Sequence, residues 1–163
     1  MTVTLLSGYP ARLDATSERP CQSSLSTDTS LFLIYIISQA DPNWEMRQGL
    51  EAGFPIAIVE FLVPHAHMFG PPNDEASEGH PLASRGLTPY AACEVKHSSW
   101  IRQLERMNAV HPCHQPESFS SYRHFVFAFH DSTFECVAEG FEVSVFHGFI
   151  HDAVRKVVDA LDA

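Results

Sequence analysis

The spacing of apolar positions changes several times along the chain, and each change marks an element. Leu31 to Ile37 (LFLIYII) is an unbroken apolar run. Its length and β-branched content predict a central strand rather than a helix. Ile56 to Val63 (IAIVEFLV) repeats the signal. Glu60 lies inside it, and a carboxylate in a central strand is costly unless it is paired or faces water. Thr2 to Leu6 and Tyr90 to Lys96 predict two further strands.

The most regular stretch is Arg123 to His147. Phe125, Phe127 and Phe129 alternate with His124, Val126, Ala128 and His130, a period of two. Asp131-Ser132 interrupts the run and reads as a tight turn. Thr133 to Ala138 follows, then Glu139-Gly140, then Phe141 to Phe146. With a two-residue loop, flanking residues stand opposite each other. Phe129 then faces Phe134, Phe127 faces Cys136, and Phe125 faces Ala138. With Gly140 supplying a positive φ at a second turn, the three runs form a meander. The rival is one long strand in which Gly140 marks a bulge; the meander is preferred because it explains the parity switch without an unpaired residue. One face is then apolar. The other carries His124, His130, Glu135, Glu139 and Glu142, with His124 opposite Glu139.

Helical spacing appears in three places. Asp41-Pro42 suits a helix start, continuing over Trp44 to Ala52 with Gly53 as the stop. Ser98 or Ser99 caps a helix running to about Ala109, with Trp100 or Ile101, Leu104 and Met107 as its stripe. Pro116 precedes one helical turn over 117–121. Phe149 to Leu161 repeats apolar residues at i, i+3 and i+4, and this helix is expected to cover the Phe-rich face of the meander. The fold class is therefore α+β, a mostly antiparallel sheet with a C-terminal three-strand meander and helices packed on one face. Residues 31–163 form one domain. Residues 1–30, rich in Ser and Thr from position 14, read as a loosely ordered N-terminal arm.

Composition narrows the function. Hydrophobic residues make up 45% of 163 positions, and 20 acids against 10 bases leave a formal charge of −10. That argues against nucleic acid or an anionic membrane as partner, since both reward clustered Lys and Arg. No apolar run approaches the length of a membrane span, and MTVTLLSGYP has no basic region followed by an apolar one. Cys21, Cys93, Cys113 and Cys136 are widely spaced and form no CxxC. A cytoplasmic location is the default.

Chemistry is sparse. His65-Ala66-His67 at a strand end can offer two imidazoles to a metal, with His80, Glu60, Glu75 or Glu78 completing the set. The HxH pair resembles the opening of the cupin metal motif, but Pro71 and Pro72 stand where that motif needs a Glu, so the cupin assignment is rejected. The long segment Pro64 to Gly86 that holds most of these residues reads as a loop, and loops of such length are often functional. His111-Pro112-Cys113-His114 lacks a partner pair at zinc-finger spacing. His130-Asp131-Ser132 cannot be a triad within one turn, because triads are assembled from separate segments. No P-loop, GxGxxG, HExxH or GxSxG is present. The run FHDSTFECVAEG, with HSSWIRQLERMN upstream, resembles uncharacterised small bacterial proteins over about residues 54–146, and that resemblance brings no activity with it.

These residues support two expectations. The first is a small acidic cytoplasmic binding or regulatory module, inhibitor-like in charge and size, with no cofactor. It acts on a protein partner of basic character through His124, His130, Glu135, Glu139 and Glu142 and the 64–86 segment. The alternative is a metal-dependent enzyme that holds a divalent metal on His65, His67, Glu60 and His80. Self-association through a free sheet edge is a third use of the fold.

Overall fold

A computed structural model describes residues 1–6, 22–37 and 53–161. The helix expected over 41–52 lies outside these residues. Nine strands and two helices are described: β1 (Thr2–Leu5), β2 (Gln22–Ser26), β3 (Leu31–Ile36), β4 (Phe54–Leu62), β5 (Ala66–Gly70), β6 (Ala92–Lys96), α1 (Ser99–Asn108), β7 (Arg123–Ala128), β8 (Thr133–Ala138), β9 (Gly140–Gly148) and α2 (Ile150–Leu161). They build two antiparallel sheets, one ordered β1-β6-β7-β8-β5 and the other β2-β3-β4-β9. The class is α+β, as expected.

The sheets pack face to face. Leu31, Leu33, Tyr35, Ala57, Val59 and Phe61 of the four-stranded sheet meet Phe125, Phe127, Phe129, Phe134, Cys136 and Ala138 of the five-stranded one. Phe61 sits at the centre, its ring 5.5–6.3 Å from those of Phe125, Phe127, Phe134 and Phe141. The unbroken apolar runs of β3 and β4 now have a reason, because both faces are buried. Phe32, Ile34, Ile56 and Ile58 point the other way, onto Ala153 and Val157 of α2.

That arrangement corrects two expectations. The Phe-rich face is covered by the second sheet, not by α2. The helices also do not share a face: α2 lies outside the four-stranded sheet, while α1 contacts β7 of the five-stranded one. An apolar stripe states how much surface must be buried, not which partner buries it.

The meander is corrected as well. β7 and β8 form a hairpin, but it turns at His130-Asp131, with Phe129 N–H bonded to Ser132 O at 2.8 Å. Phe125 therefore faces Cys136, and Phe127 faces Phe134. The register differs by two residues from that expected, an even shift, so every side chain keeps its face. His124 stands opposite Val137, not Glu139. β9 does not turn back on β8. It continues beyond Glu139 into the other sheet and pairs with β4 along its whole length. Residues 54–70 and 133–148 thus run together as one bent antiparallel ribbon through both sheets, which is near the long-strand alternative. Three residues (63–65) stand against two (138–139) at the corner, so the extra residue of the bulge lies on the strand that faces Ala138-Glu139, and Gly140 itself is paired with Leu62. Val63 there has φ 49°, whereas Gly140 has no positive φ. Glu139 N–H to Leu62 O (2.9 Å) and His65 N–H to Val137 O (2.8 Å) carry the pairing round the bend.

The strand expected over Thr2 to Leu6 is β1, which pairs with β6. Two further segments were expected to be irregular and are strands. β2 pairs with β3, so part of the Ser- and Thr-rich stretch of the N-terminal arm belongs to a sheet. β5, within the 64–86 segment, pairs with β8.

Candidate functional site

Alternation along the five-stranded sheet sends Met68, Glu135, His124, Val126, Val95 and Val3 to the face turned away from the other sheet. That face is not solvated, as a simple reading of its polar residues implies. Leu82 and Leu87 of the segment before β6 pack on Val95, Val126 and Val3, and α1 leans over β7. Between them lies a pocket of about 330 Å³. Its walls are Met1, Met68, Pro81, Leu82, Ser99, Trp100 and Gln103, with His80, His124 and Glu135.

Glu135 is the centre. On the sheet it stands between Met68 of β5 and Val126 of β7, and 14% of its side chain is exposed. His124 Nε2 lies 2.7 Å from Oε2, and His80 Nε2 lies 3.2 Å from Oε1. Both imidazoles are buried. His124 reaches Glu135 diagonally across the β7–β8 pair, a neighbour relation within side-chain range.

The hydrogen bonds define the proton positions. Leu82 N–H donates to His80 Nδ1 at 3.1 Å, so His80 carries its proton on Nε2 and donates it to Glu135. Ser98 caps α1, its Oγ accepting from Trp100 N–H (3.1 Å) and Ile101 N–H (3.3 Å). With both acceptor positions used, the hydroxyl proton goes to His124 Nδ1 at 2.9 Å. His124 therefore also donates from Nε2. One carboxylate is thus held by two neutral imidazoles, each locked by a backbone-anchored partner. Burial alone would raise the Glu135 pKa; the hydrogen bonds that it accepts from His124 and His80 oppose this, and the carboxyl is held below its ordinary value. Glu135 is ionised at neutral pH.

The Ser98–His124–Glu135 chain has the elements of a relay, but Ser98 is buried and does not line the pocket. Its hydroxyl serves α1 and His124.

The remaining expected site residues disperse. His130 sits at the β7–β8 turn, with Nδ1 2.9 Å from Asp74 Oδ2 and 3.1 Å from the Tyr90 hydroxyl, and that hydroxyl also donates to Asp74. Glu139 is exposed and accepts from Ser121 Oγ at 2.8 Å. Glu142 lies on β9, in the other sheet, opposite Glu60. Of the binding set, only His124 and Glu135 meet.

The His65, His67, Glu60 and His80 set is not assembled. His65 stacks on Tyr122 with centroids 4.8 Å apart, and His67 stacks on Phe134 at 6.2 Å. Glu60 is exposed on β4, and His80 faces Glu135. Alternate residues on a strand share a side, but His65 lies before β5, at the bulge, while Glu60 stands on β4 in the other sheet and His80 in the segment before β6. Among the described residues, no group of three or more His, Cys, Asp or Glu stands where it would hold a metal ion.

The sequence pointed to His124 and Glu135 in one set, the binding face, and to His80 in the other, the metal set. It missed Met68 and Met1 as walls. Trp100 and Ser98 were visible only as helix stripe and cap. A scan of family models, curated proteins and solved structures finds no match to this chain. Among the described residues, no helix is long and apolar enough to cross a membrane.

Proposed function

We propose that the protein is a small acidic binding or regulatory module acting on a basic protein partner, with the Glu135 pocket as its recognition site. One observation carries the reading. An ionised carboxylate lies at the floor of an open pocket whose lining, among the described residues, contains no Lys or Arg. Such a charge costs desolvation that neutral donors offset only in part, and a partner bringing a positive group gains from it. The formal charge of −10 would draw a basic partner from a distance and speed encounter. Trp100, Met68 and Met1 supply the aromatic and thioether surface in which interfaces are enriched. Cys93, Cys113 and Cys136 are free thiols, in keeping with a cytoplasmic setting.

The test is a titration of isotope-labelled protein, tagged at its C-terminus because Met1 lines the pocket, with a lysine-rich peptide. Amide and side-chain shifts are expected at residues 80–82, 98–103, 124 and 135. Shifts confined to the edge strand β9, or none anywhere, would sink the proposal; the first outcome would redirect attention to self-association, read from the mass in solution.

A further inference from the structure

We infer that the group taken by this pocket is a primary alkylammonium, the head of a lysine side chain, in preference to a guanidinium or an anion. The inference rests on the reading of the pocket as the recognition site. The donors and acceptors of the pocket carry it.

An anion would need free N–H groups, and α1 presents its N-terminus here. Those groups are already used. Trp100 and Ile101 N–H go to Ser98 Oγ, and Ser99 N–H goes to Met1 Sδ at 3.4 Å. The Ser99 hydroxyl goes to the same sulfur at 3.2 Å. Both imidazole Nε2–H groups are spent on Glu135. Gln103 and Trp100 bring neutral N–H donors to the walls, but among the described residues of the lining no Lys or Arg stands beside them, and the one carboxylate there has acceptor capacity left. An ionised carboxylate has about four lone-pair sites, and the two imidazoles occupy one on each oxygen.

That occupancy separates the two cations. A guanidinium binds a carboxylate best as a planar fork that spans both oxygens. Here each oxygen already has an N–H against it, and His80 and His124 approach from two sides. An ammonium is a compact point charge that needs only one acceptor position. The walls suit its stem. Met1, Met68, Pro81 and Leu82 line the approach, and apolar walls cover a lysine's methylenes while the charge reaches a polar partner. The Trp100 ring, T-shaped against His124 at 5.2 Å, also lines the pocket, and an indole is the side chain on which a cation is held best. A pocket of about 330 Å³ is at the small end of ligand sites, sized for one side chain rather than an extended molecule.

Four probes test this on the whole chain: Nα-acetyl-lysine methylamide, its Nε-acetyl derivative, the arginine analogue, and n-butylammonium. Binding is read from the Trp100 indole and His124 ring resonances. The lysine probe should bind, and Nε-acetylation should weaken it at least about tenfold, the loss of one charge-assisted contact. The arginine analogue should bind several-fold more weakly. Glu135→Gln should lose the lysine probe while Glu135→Asp retains part of it. If Glu135→Gln does not fold, the acetylation comparison on the native chain decides alone. Tighter binding of the lysine probe than of butylammonium assigns the site to a protein side chain, and the reverse to a free amine; both support an ammonium site. Equal or tighter binding of the acetylated or arginine probe overturns the inference, while shifts at Trp100 leave the pocket standing as a recognition site. If no probe moves Trp100 or His124 and the lysine-rich peptide also moves neither, inference and site fall together.

Discussion

Replacing Glu135 with Gln removes one charge and no volume, and the surrounding bonds set the cost. The carboxylate accepts Nε2–H from His124 at 2.7 Å and from His80 at 3.2 Å. A Gln side chain offers one oxygen and one NH₂. It can accept from one imidazole and must present a donor to the other. The displaced imidazole cannot simply change tautomer, because Leu82 N–H or the Ser98 hydroxyl would then meet another N–H. The variant loses a charge-assisted bond, worth about 1.5–3 kcal/mol, and strands a buried donor at about 1–3 kcal/mol. It recovers part of that by no longer burying a charge. The expected net loss is about 2–4 kcal/mol near neutral pH, or roughly 4–16 °C in melting temperature for a chain of this size. The sign with pH is definite. The folded carboxyl is held below its ordinary value, so its contribution is complete above the unfolded value, about 4.3. It is lost as pH falls through the folded value. Denaturant unfolding near neutral pH and at about pH 3 should therefore show a gap between native and variant that closes on the acid side. A variant as stable as the native chain at neutral pH, or a gap that ignores pH, would refute the donor–acceptor reasoning.

Phe61→Ala removes the ring at the meeting point of both sheets, 2% exposed, and should cost about 3–5 kcal/mol in denaturant midpoint at unchanged slope; a loss under about 1 kcal/mol would mean that the sheets do not close on it. Asp74→Asn tests the Tyr90–His130 cluster. The hydrogen bond to Asp74, then burial, then the charges of Asp74 and Asp131 push the Tyr90 phenol up to about 12, and an optical titration should bring it back towards 10. The Asp74 bond, opposed by burial, also raises His130, so its stabilising effect is present at low pH and fades as pH rises through the folded value. Ring resonances of His130 should titrate at lower pH in the variant, and an unchanged midpoint would dissolve the cluster as a titrating unit.

How far the site was legible depended on the range of each contact. The cap of α1 is a local fact, settled within three residues, and the sequence narrowed it to Ser98 or Ser99, of which Ser98 is the cap. The faces of β7 and β8 were legible because strand parity survives an even error in register; His124 and Glu135 were placed on one face although their pairing was misjudged. His80 could not be brought to Glu135 by any local rule. It lies 55 residues away, and its approach depends on how the segment before β6 folds back over Val95 and Val126. The metal set failed for the same reason: HxH spacing says two rings are near in sequence, and the corner of the ribbon decides where they point.

The sequence by itself determined the strands of the core, the two helices, the parity of the Phe-rich hairpin and the acidic balance. These arise from periodicity, capping and charge, which act over a few residues or over the whole composition. Only tertiary structure decided which apolar face met which, because burial has no direction. It turned the expected meander into a ribbon passing from one sheet to the other, and it placed α1 and α2 on opposite sides. It also closed a face of polar residues under a helix and a folded segment. There the fixed proton positions of two imidazoles leave a single charged acceptor facing the pocket.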